Sequence, residues 1–251
     1  MKLQGQNILV TGASRGIGFA IADHLLQHGA RVGVHYNSGK AGAETLSTRY
    51  GNDKVCVHKA DLANREEVTG LFNEVLHSLG SLQTLVLNAG VFIPHPTEME
   101  VGEWYRIWKQ TLAINLDAAG LLTKVALDYF KKKQEGRIIY IGSRAAFRGE
   151  TEEYLAYAAS KGGLTSLARS VARSFGKYNI KAFVIAPGFT RTAMAEQFIG
   201  EYGEARVLEE LSLNELTEAT DIAPLVSFMA SGAMDHATGT TIDINAGSYI
   251  H

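Results

Sequence analysis

One cysteine in 251 residues, Cys56, excludes an internal disulfide. Its place in the apolar run Val55 to Lys59 marks it as a buried small hydrophobe. No Cys/His cluster has zinc spacing, so no metal site is expected. No apolar run approaches the roughly 20 residues a membrane span needs. Met1 to Gln6 lacks a basic segment followed by an apolar one, so no signal peptide is visible. An excess of charge of either sign is missing too: 24 Lys plus Arg stand against 26 Asp plus Glu. That balance gives no electrostatic footprint for nucleic acid or an acidic membrane. Linkers rich in Pro, Gly and Ser, low-complexity tracts and repeats are also absent. One globular, cytoplasmic domain over 1–251 is expected, 46% hydrophobic and able to bury a sizeable core.

What the chain does have is an alternation of short apolar runs and longer helical patterns. Asn7 to Thr11 reads as a buried strand and runs straight into Gly12-Ala-Ser-Arg-Gly16-Ile-Gly18. A helix follows over Ile17 to His28, ended by Gly29, and the next strand is Arg31 to His35. Further strands are expected at Val55–Lys59, Thr84–Asn88, Arg137–Ser143, Lys181–Ala186 and Thr241–Asn245. Helices are expected at Ala41–Tyr50, Glu66–Leu79, Glu103–Lys132, Glu152–Phe175, Ala193–Gln197, Glu204–Leu211 and Asp221–Ala230. Such alternation means an α/β fold, a doubly wound parallel sheet with helices on both faces. Thr190 to Thr217 is the loosest segment. It follows a strand's carboxyl end, where ligands bind in such sheets, and is a candidate substrate lid; the alternative is an ordinary surface excursion.

Strand, glycine turn and helix in succession form the setting a dinucleotide phosphate loop needs. Glycine lets the backbone approach a pyrophosphate, and the helix N-terminus offers unpaired N–H groups and a positive dipole end. In such units an acidic residue at the end of the second strand holds the adenosine ribose of NAD. Here that stretch is His35-Tyr36-Asn37-Ser38-Gly39-Lys40, with no Asp or Glu. This permits the 2′-phosphate of NADP. Arg15 in the glycine turn can reach it, and Asn37, Ser38 and Lys40 add donors and charge. NADP(H) is favoured over NAD(H).

The stretch around which the rest is arranged is Tyr157-Ala-Ala-Ser-Lys161. A spacing of four puts the phenol and the amine a turn apart on one helical face. A phenol with a pKa of about 10 is a poor proton donor and acceptor at neutral pH. An ammonium at roughly 4 Å, with an effective dielectric near 20, attracts the phenolate by about 4 kcal/mol, an upper bound of near three pKa units. Tyr157 is thereby a candidate general acid.

With those residues placed, the chain resembles the short-chain dehydrogenase/reductase family over nearly its whole length. Thr11-Gly-Ala-Ser-Arg-Gly-Ile-Gly18 is similar to the family's TGxxxGxG, Asn88-Ala-Gly90 to its NAG motif, and Tyr157 with Lys161 to its YxxxK. Ser143 at the end of the fifth strand, Asn115 within a helix and Pro187-Gly188 after the sixth strand also match. The resemblance implies a single-domain Rossmann fold, seven strands in the order 3-2-1-4-5-6-7. It implies Tyr157 as general acid and Ser143 as the group bonded to the same carbonyl oxygen. It implies Lys161 on the nicotinamide ribose, lowering the phenol's pKa, and Asn115 holding a water that links Lys161 to solvent. It places Gly12, Ser14, Arg15, Gly16, Ile17 and Gly18 at the phosphates and adenosine, and Asp61 and Leu62 at the adenine. Asn88, Ala89 and Gly90 would line the ribose and the central cofactor, and Pro187, Gly188, Thr190 and Thr192 would fix the nicotinamide. The family often has paired glycines after the last strand; here Ala246-Gly247 stands instead, a change read as harmless.

Likeness is closest to the 3-oxoacyl-[acyl-carrier-protein] reductase branch, which implies reduction of a 3-oxoacyl thioester. Lys131, Lys132, Lys133, Arg173 and Lys177 are a candidate dock for an acidic acyl carrier protein, or simply solvated helix ends. Trp104 and Trp108, four apart, suggest an interface or core packing, and the family usually forms a homotetramer through its long helices. Two other functions stay open: an NAD-linked alcohol, sugar or polyol dehydrogenase, and a cofactor-sensing binding protein without turnover.

Overall fold

The computed structural model describes residues 2–192 and 203–250. The apolar runs become β1 (Asn7–Val10), β2 (Arg31–Tyr36), β3 (Val55–Lys59), β4 (Thr84–Leu87), β5 (Gly136–Ile141) and β6 (Ile180–Pro187). Two short strands, β7 (Thr190–Arg191) and β8 (Thr217–Glu218), precede β9 (Thr241–Ile244). The main sheet is seven-stranded in the order β3-β2-β1-β4-β5-β6-β9, every pair parallel. That is the expected doubly wound order, with β9 as its seventh strand. The β7–β8 ribbon was not foreseen, because two-residue strands leave no periodic signal.

Helices cover both faces. They are α1 (Gly16–Gln27), α2 (Ala41–Tyr50), α3 (Arg65–Leu79), α4 (Val101–Leu112), α5 (Ala118–Lys133), a short α6 (Ala145–Arg148), α7 (Leu155–Phe175), α8 (Glu204–Leu208) and α9 (Ala219–Ala230). Strands covered on both sides are mostly apolar, and β1, β4 and β5 are buried throughout, with Asn7, Thr84 and Arg137 the polar exceptions near their starts. Alternate side chains of β5 show how the core divides. Ile138 and Tyr140 pack with Val75 of α3, Leu122 and Phe130 of α5 and Leu164 of α7. Ile139 and Ile141 pack with Ile21 and Leu25 of α1 and Val226 of α9. Each such side chain contributes about 1.5–3 kcal/mol on burial. Cys56 is only half-buried at the edge of this core. Among the described residues no helix is long and apolar enough to cross a membrane.

The helix boundaries have local causes. Asn64 caps α3 by accepting from Glu66 N and Glu67 N, at 3.0 and 3.3 Å, and Gly80 closes it in the left-handed region. Glu100 does the same for α4. Three boundaries depart from the expected ones. The helix expected over Glu103–Lys132 is interrupted between α4 and α5 by a π-helical turn, Ala113–Asp117, which turns Asn115 inward. The helix expected from Glu152 begins as a 3-10 turn, Glu152–Tyr154, before α7. The helix expected over Glu204–Leu211 ends at Leu208. The helix expected over Ala193–Gln197, and with it the middle of the 190–217 lid, lies outside the described residues.

The alanine after the last strand is not neutral. Ala246 sits at φ 52°, in the left-handed region, while its carbonyl accepts from Ser212 N and Leu213 N at 2.9 and 3.1 Å. An alanine there carries strain of about 1–2 kcal/mol, against roughly 0.5–1 kcal/mol of extra chain entropy for glycine. Ala246→Gly is therefore expected to stabilise the fold by about 0.5–1 kcal/mol, seen as a rise of roughly 2 °C in the thermal midpoint. A fall in the midpoint would contradict this account of the turn.

Candidate active site

The carboxyl ends of β1, β4, β5 and β6 carry the residues that the motifs singled out. At β1, Gly12 takes φ 64°, and a Cβ there would stand 3.0 Å from the Cα of Ala89. A Cβ on Gly18 would stand 2.2 Å from the carbonyl oxygen of Gly12. The turn closes this tightly because both positions lack a side chain. Thr11, the first residue of the TGxxxGxG match, ties the turn to β4: its Oγ1 accepts from Asn88 N and Ala89 N at 2.9 and 3.0 Å. Asn88 Nδ2 donates to Thr11 O and Gly12 O at 2.9 and 3.2 Å. Its amide donors hold the glycine turn, and its Oδ1 is left for a ribose hydroxyl. Arg15 is the N-cap residue of α1, exposed and without a side-chain cap bond. The N-terminus of α1 is thus left open to an anion. Thr192 stands against Gly16: a Cβ there would meet its Cγ2 at 3.4 Å. The start of the lid segment therefore faces the phosphate turn, which fits a dinucleotide lying across these ends.

The 37–42 turn also packs on the glycine turn. A Cβ on Gly39 would come 4.0 Å from Ser14 Oγ, and one on Gly42 would come 1.9 Å from Ser14 O. Gly42 was missed, although a glycine in the first turn of α2 is a signal of close approach. Asn37 and Ser38 are exposed here. Lys40 is drawn into an i,i+4 pair with Glu44 at 2.9 Å, which offsets the charge it would offer a phosphate. At the end of β3, Leu62 is buried and Asp61 half-buried. Asp61 Oδ1 accepts from Ala63 N at 2.9 Å.

The helical spacing places Tyr157 and Lys161 in the first two turns of α7, and the fold brings Ser143 and Asn115 to them. The Ser143 hydroxyl is bonded to the phenol of Tyr157, and it also accepts from Ala145 N at 3.1 Å. Lys161 is 4% exposed. Its Nζ donates to Ile141 O at 2.8 Å and lies 5.6 Å from the Tyr157 ring centroid. A Cβ on Gly90 would stand 3.3 Å from Asn115 Oδ1 and 3.6 Å from Lys161 Nζ. Asn115 Oδ1 accepts from Val91 N at 2.8 Å, while its Nδ2 donates to Val91 O and Ser160 Oγ at 2.9 and 3.1 Å. Ser160 in turn donates to Tyr157 O at 2.7 Å. Both amide donors of Asn115 are engaged by protein, so its side chain works as a bracket between the β4 turn and α7. A water on that amide could be held only through the remaining acceptor site of Oδ1. At the end of β6, Gly188 N donates to Ile244 O at 2.9 Å, and Thr190 Oγ1 donates to Gly188 O at 3.2 Å.

The electrostatics reverse one expectation. Tyr157 keeps part of its surface open, yet burial pushes its phenol up to about 12. The bond from Ser143 pulls the other way, and the charge of Glu150 adds to the rise. The anticipated lowering by Lys161 is not the outcome, because desolvation of the phenolate is the largest influence on the group. Burial likewise lowers the Lys161 amine to about 8. What results is a phenol held in its protonated, donating form beside an amine that is still charged at neutral pH.

Three further features bear on the site. Phe92 stacks on Tyr154, with centroids 3.7 Å apart, and meets Tyr157 edge-on at 4.8 Å, forming an aromatic wall beside the phenol. Trp104 and Trp108 stack at 5.3 Å, and both are half-buried, so the pair is partly satisfied within the chain. Lys131 and Lys177 gather over the Tyr178 ring at 5.4 and 5.3 Å. With Arg173 near the far end of α7, that cluster lies roughly 24 Å from Tyr157 by helical rise. It sits at the amino ends of the strands, away from the site, and cannot present a carrier directly to Tyr157 of the same chain.

Comparison with known proteins agrees with this geometry. The family model described as enoyl-(acyl carrier protein) reductase matches residues 12–249. The 3-oxoacyl-[acyl-carrier-protein] reductase FabG of Haemophilus influenzae is 34% identical over 249 residues, covering 99% of this chain and 100% of that protein. Nodulation protein G of Rhizobium sp. strain N33 is 33% identical, covering 98% of each. A crystal structure of a dehydrogenase/reductase from Sinorhizobium meliloti superposes with a TM-score of 0.88 at 30% identity, over 99% of this chain and 97% of that one.

The buried amine makes a signed prediction about stability. A folded-state value near 8 against an ordinary 10.5 means that the folded chain binds fewer protons than the unfolded one between those limits. Lys161 therefore weakens the fold below pH 8, by about 3 kcal/mol, and the penalty fades as pH rises towards 10.5. Denaturant titrations of wild type and Lys161→Met should show the difference shifting towards wild type by about 3 kcal/mol across that window. A difference independent of pH would mean that the amine is not desolvated.

Proposed function

The chain belongs to the short-chain dehydrogenase/reductase family of NAD(P)-linked oxidoreductases acting on ketones and alcohols, and from that premise we propose that it is an NADPH-dependent carbonyl reductase taking a 3-oxoacyl thioester. The observation that carries this reading is the Ser143 hydroxyl bonded to a half-buried, protonated Tyr157, with the Lys161 ammonium behind it. NADPH, when bound, supplies the hydride. Tyr157 gives its phenolic proton to the carbonyl oxygen as the alcohol forms. Ser143 bonds to that same oxygen and steadies the charge developing on it. Lys161 holds the nicotinamide ribose hydroxyls and offers a positive charge that limits the cost of leaving a phenolate on Tyr157. A phenol high on the pH scale suits the reductive direction, since the donor is already protonated at neutral pH.

The rest of the cofactor fits the same ends. Gly12, Ser14, Arg15, Gly16, Ile17 and Gly18 take the phosphates, with Asp61 and Leu62 at the adenine. Asn88, Ala89 and Gly90 would lie along the centre, and Pro187, Gly188, Thr190 and Thr192 would lie at the nicotinamide. Preference for NADPH rests on Arg15, exposed at the N-cap of α1, on Asn37, and on the lack of a carboxylate between His35 and Lys40. The thioester substrate is supported by the activity named for the Haemophilus relative and by the apolar wall of Phe92 and Tyr154. An acyl carrier has to approach the carboxyl ends of the strands. We take 1–251 as one domain acting in the cytoplasm as a homotetramer through α4, α5 and α7. The 190–217 segment is its lid, anchored at both ends by the β7–β8 ribbon.

Tyr157→Phe is expected to lower NADPH oxidation with a 3-oxoacyl thioester by about 10²–10⁴-fold. The NADPH dissociation constant, read from tryptophan fluorescence, should stay near that of wild type. Unchanged turnover would remove Tyr157 from the reaction. Tighter binding of NADH than of NADPH by the wild type would overturn the reading of Arg15 and Asn37.

A further inference from the structure

His35 stands outside the chemistry described above, yet it touches two of the turns that would hold the cofactor. It is 2% exposed at the end of β2. Its ring Nδ1 accepts from Gly12 N at 3.0 Å, and its backbone oxygen accepts from Ala13 N at 2.8 Å. On the other side its Nε2 lies 3.0 Å from Ala60 O, one residue before Asp61. A backbone N–H can only donate, so Nδ1 must offer a lone pair and Nε2 must carry the proton. One neutral imidazole thus bridges the phosphate turn after β1 and the adenine turn after β3. It also occupies the first N–H groups of the glycine turn, leaving the stretch from Ser14 onwards for a ligand.

Resting on the cofactor reading given above, we propose that His35 is the positioning residue that holds the glycine turn and the adenine turn in register for NADP, through the neutral Nε2–H tautomer alone. A doubly protonated ring would place a second donor against Gly12 N and lose that bond. Burial already opposes the charge, and so does His58, its partner across the β2–β3 ladder, whose charge is the one that bears on it. Behind His58, Glu74 of α3 lies 3.7 Å from Nδ1 of that ring. The loss therefore falls on the acid side of the ordinary histidine value of about 6.5. A histidine merely filling the core would not couple binding of a distant ligand to the state of one ring nitrogen.

Two near-isosteres separate the ends of the bridge. In His35→Asn an amide oxygen stands close to the place of Nδ1 and keeps the bond from Gly12. In His35→Gln an amide nitrogen reaches towards the place of Nε2 and keeps the bond to Ala60. NADP⁺ affinity is measured by tryptophan fluorescence from about pH 8 to about pH 5, across the histidine range. The nucleotide's own 2′-phosphate titrates near pH 6 and acts equally on all three chains, so the differences between them carry the result. At pH 8 His35→Asn should bind within a few-fold of wild type and His35→Gln about tenfold more weakly. Towards pH 5 the wild type should lose about tenfold more affinity than His35→Asn. Nitrogen-15 spectra of the imidazoles in the cofactor-free chain should show the His35 proton on Nε2. A proton on Nδ1, or the same affinity and pH profile in all three chains, overturns the proposal and leaves the cofactor reading intact. Wild type that binds neither NADP⁺ nor NAD⁺ overturns both. If His35→Gln does not fold, the acid limb of His35→Asn against wild type decides alone.

Discussion

An ammonium group shut away from water and held by one carbonyl governs this site. Lys161 Nζ reaches Ile141 O at the end of β5, and burial lowers the amine to about 8. A cation in that position is tolerated only if the surrounding elements fix it and give its charge a use. The elements around it do so. The π-helical turn between α4 and α5 swings Asn115 inward, where its amide clamps Val91 and Ser160. That clamp ties the turn after β4, with Gly90, to the first turns of α7, which carry both Tyr157 and Lys161. Ser143 completes the set from the end of β5, bonded to the phenol. Removing any one of these contacts would leave either a mobile phenol or an unanchored charge.

Much of this was legible in the sequence because it rests on short-range spacing. A spacing of four from Tyr157 to Lys161 fixes one helical face whatever the rest of the chain does. The apolar runs and the glycine turn fix a doubly wound sheet and the end of it at which ligands sit. The π-helical turn was not legible. One extra residue in a long amphipathic pattern barely shifts its period, and its cause is the contact of Asn115 with Val91, 24 positions away. The direction of the phenol's shift was also out of reach. The attraction of a neighbouring amine can be estimated from spacing, but the opposing desolvation depends on how much protein surrounds the hydroxyl. The position of the basic cluster was out of reach for a topological reason. Charges at the ends of α5 and α7 look adjacent to a site at the start of α7, but a helix of this length carries them to the other edge of the sheet. His35 gave a faint signal, a polar ring within a buried strand, and only the turns at residues 12 and 60 give it a meaning.

The comparisons and the geometry meet in one physical picture. The relatives match this chain from end to end, and the segments above its strand ends carry the remaining features of the site. Here those segments bring their own features: the Phe92–Tyr154 stack, the Glu150 charge near the phenol, and the pairing of Arg144 and Arg148 with Glu210 at 3.0 and 3.2 Å, which fastens the return of the 190–217 segment to the residues after Ser143. They surround Tyr157, and the Glu150 charge also raises its phenol.

That donor is the point on which the account stands. Its ionisation can be followed directly in the cofactor-free chain by ultraviolet difference absorbance, with Tyr157→Phe as the reference that removes the other tyrosines. The account predicts that Tyr157 stays protonated through neutral pH and ionises only near 12. A phenolate already present at neutral pH in the absence of cofactor would contradict it.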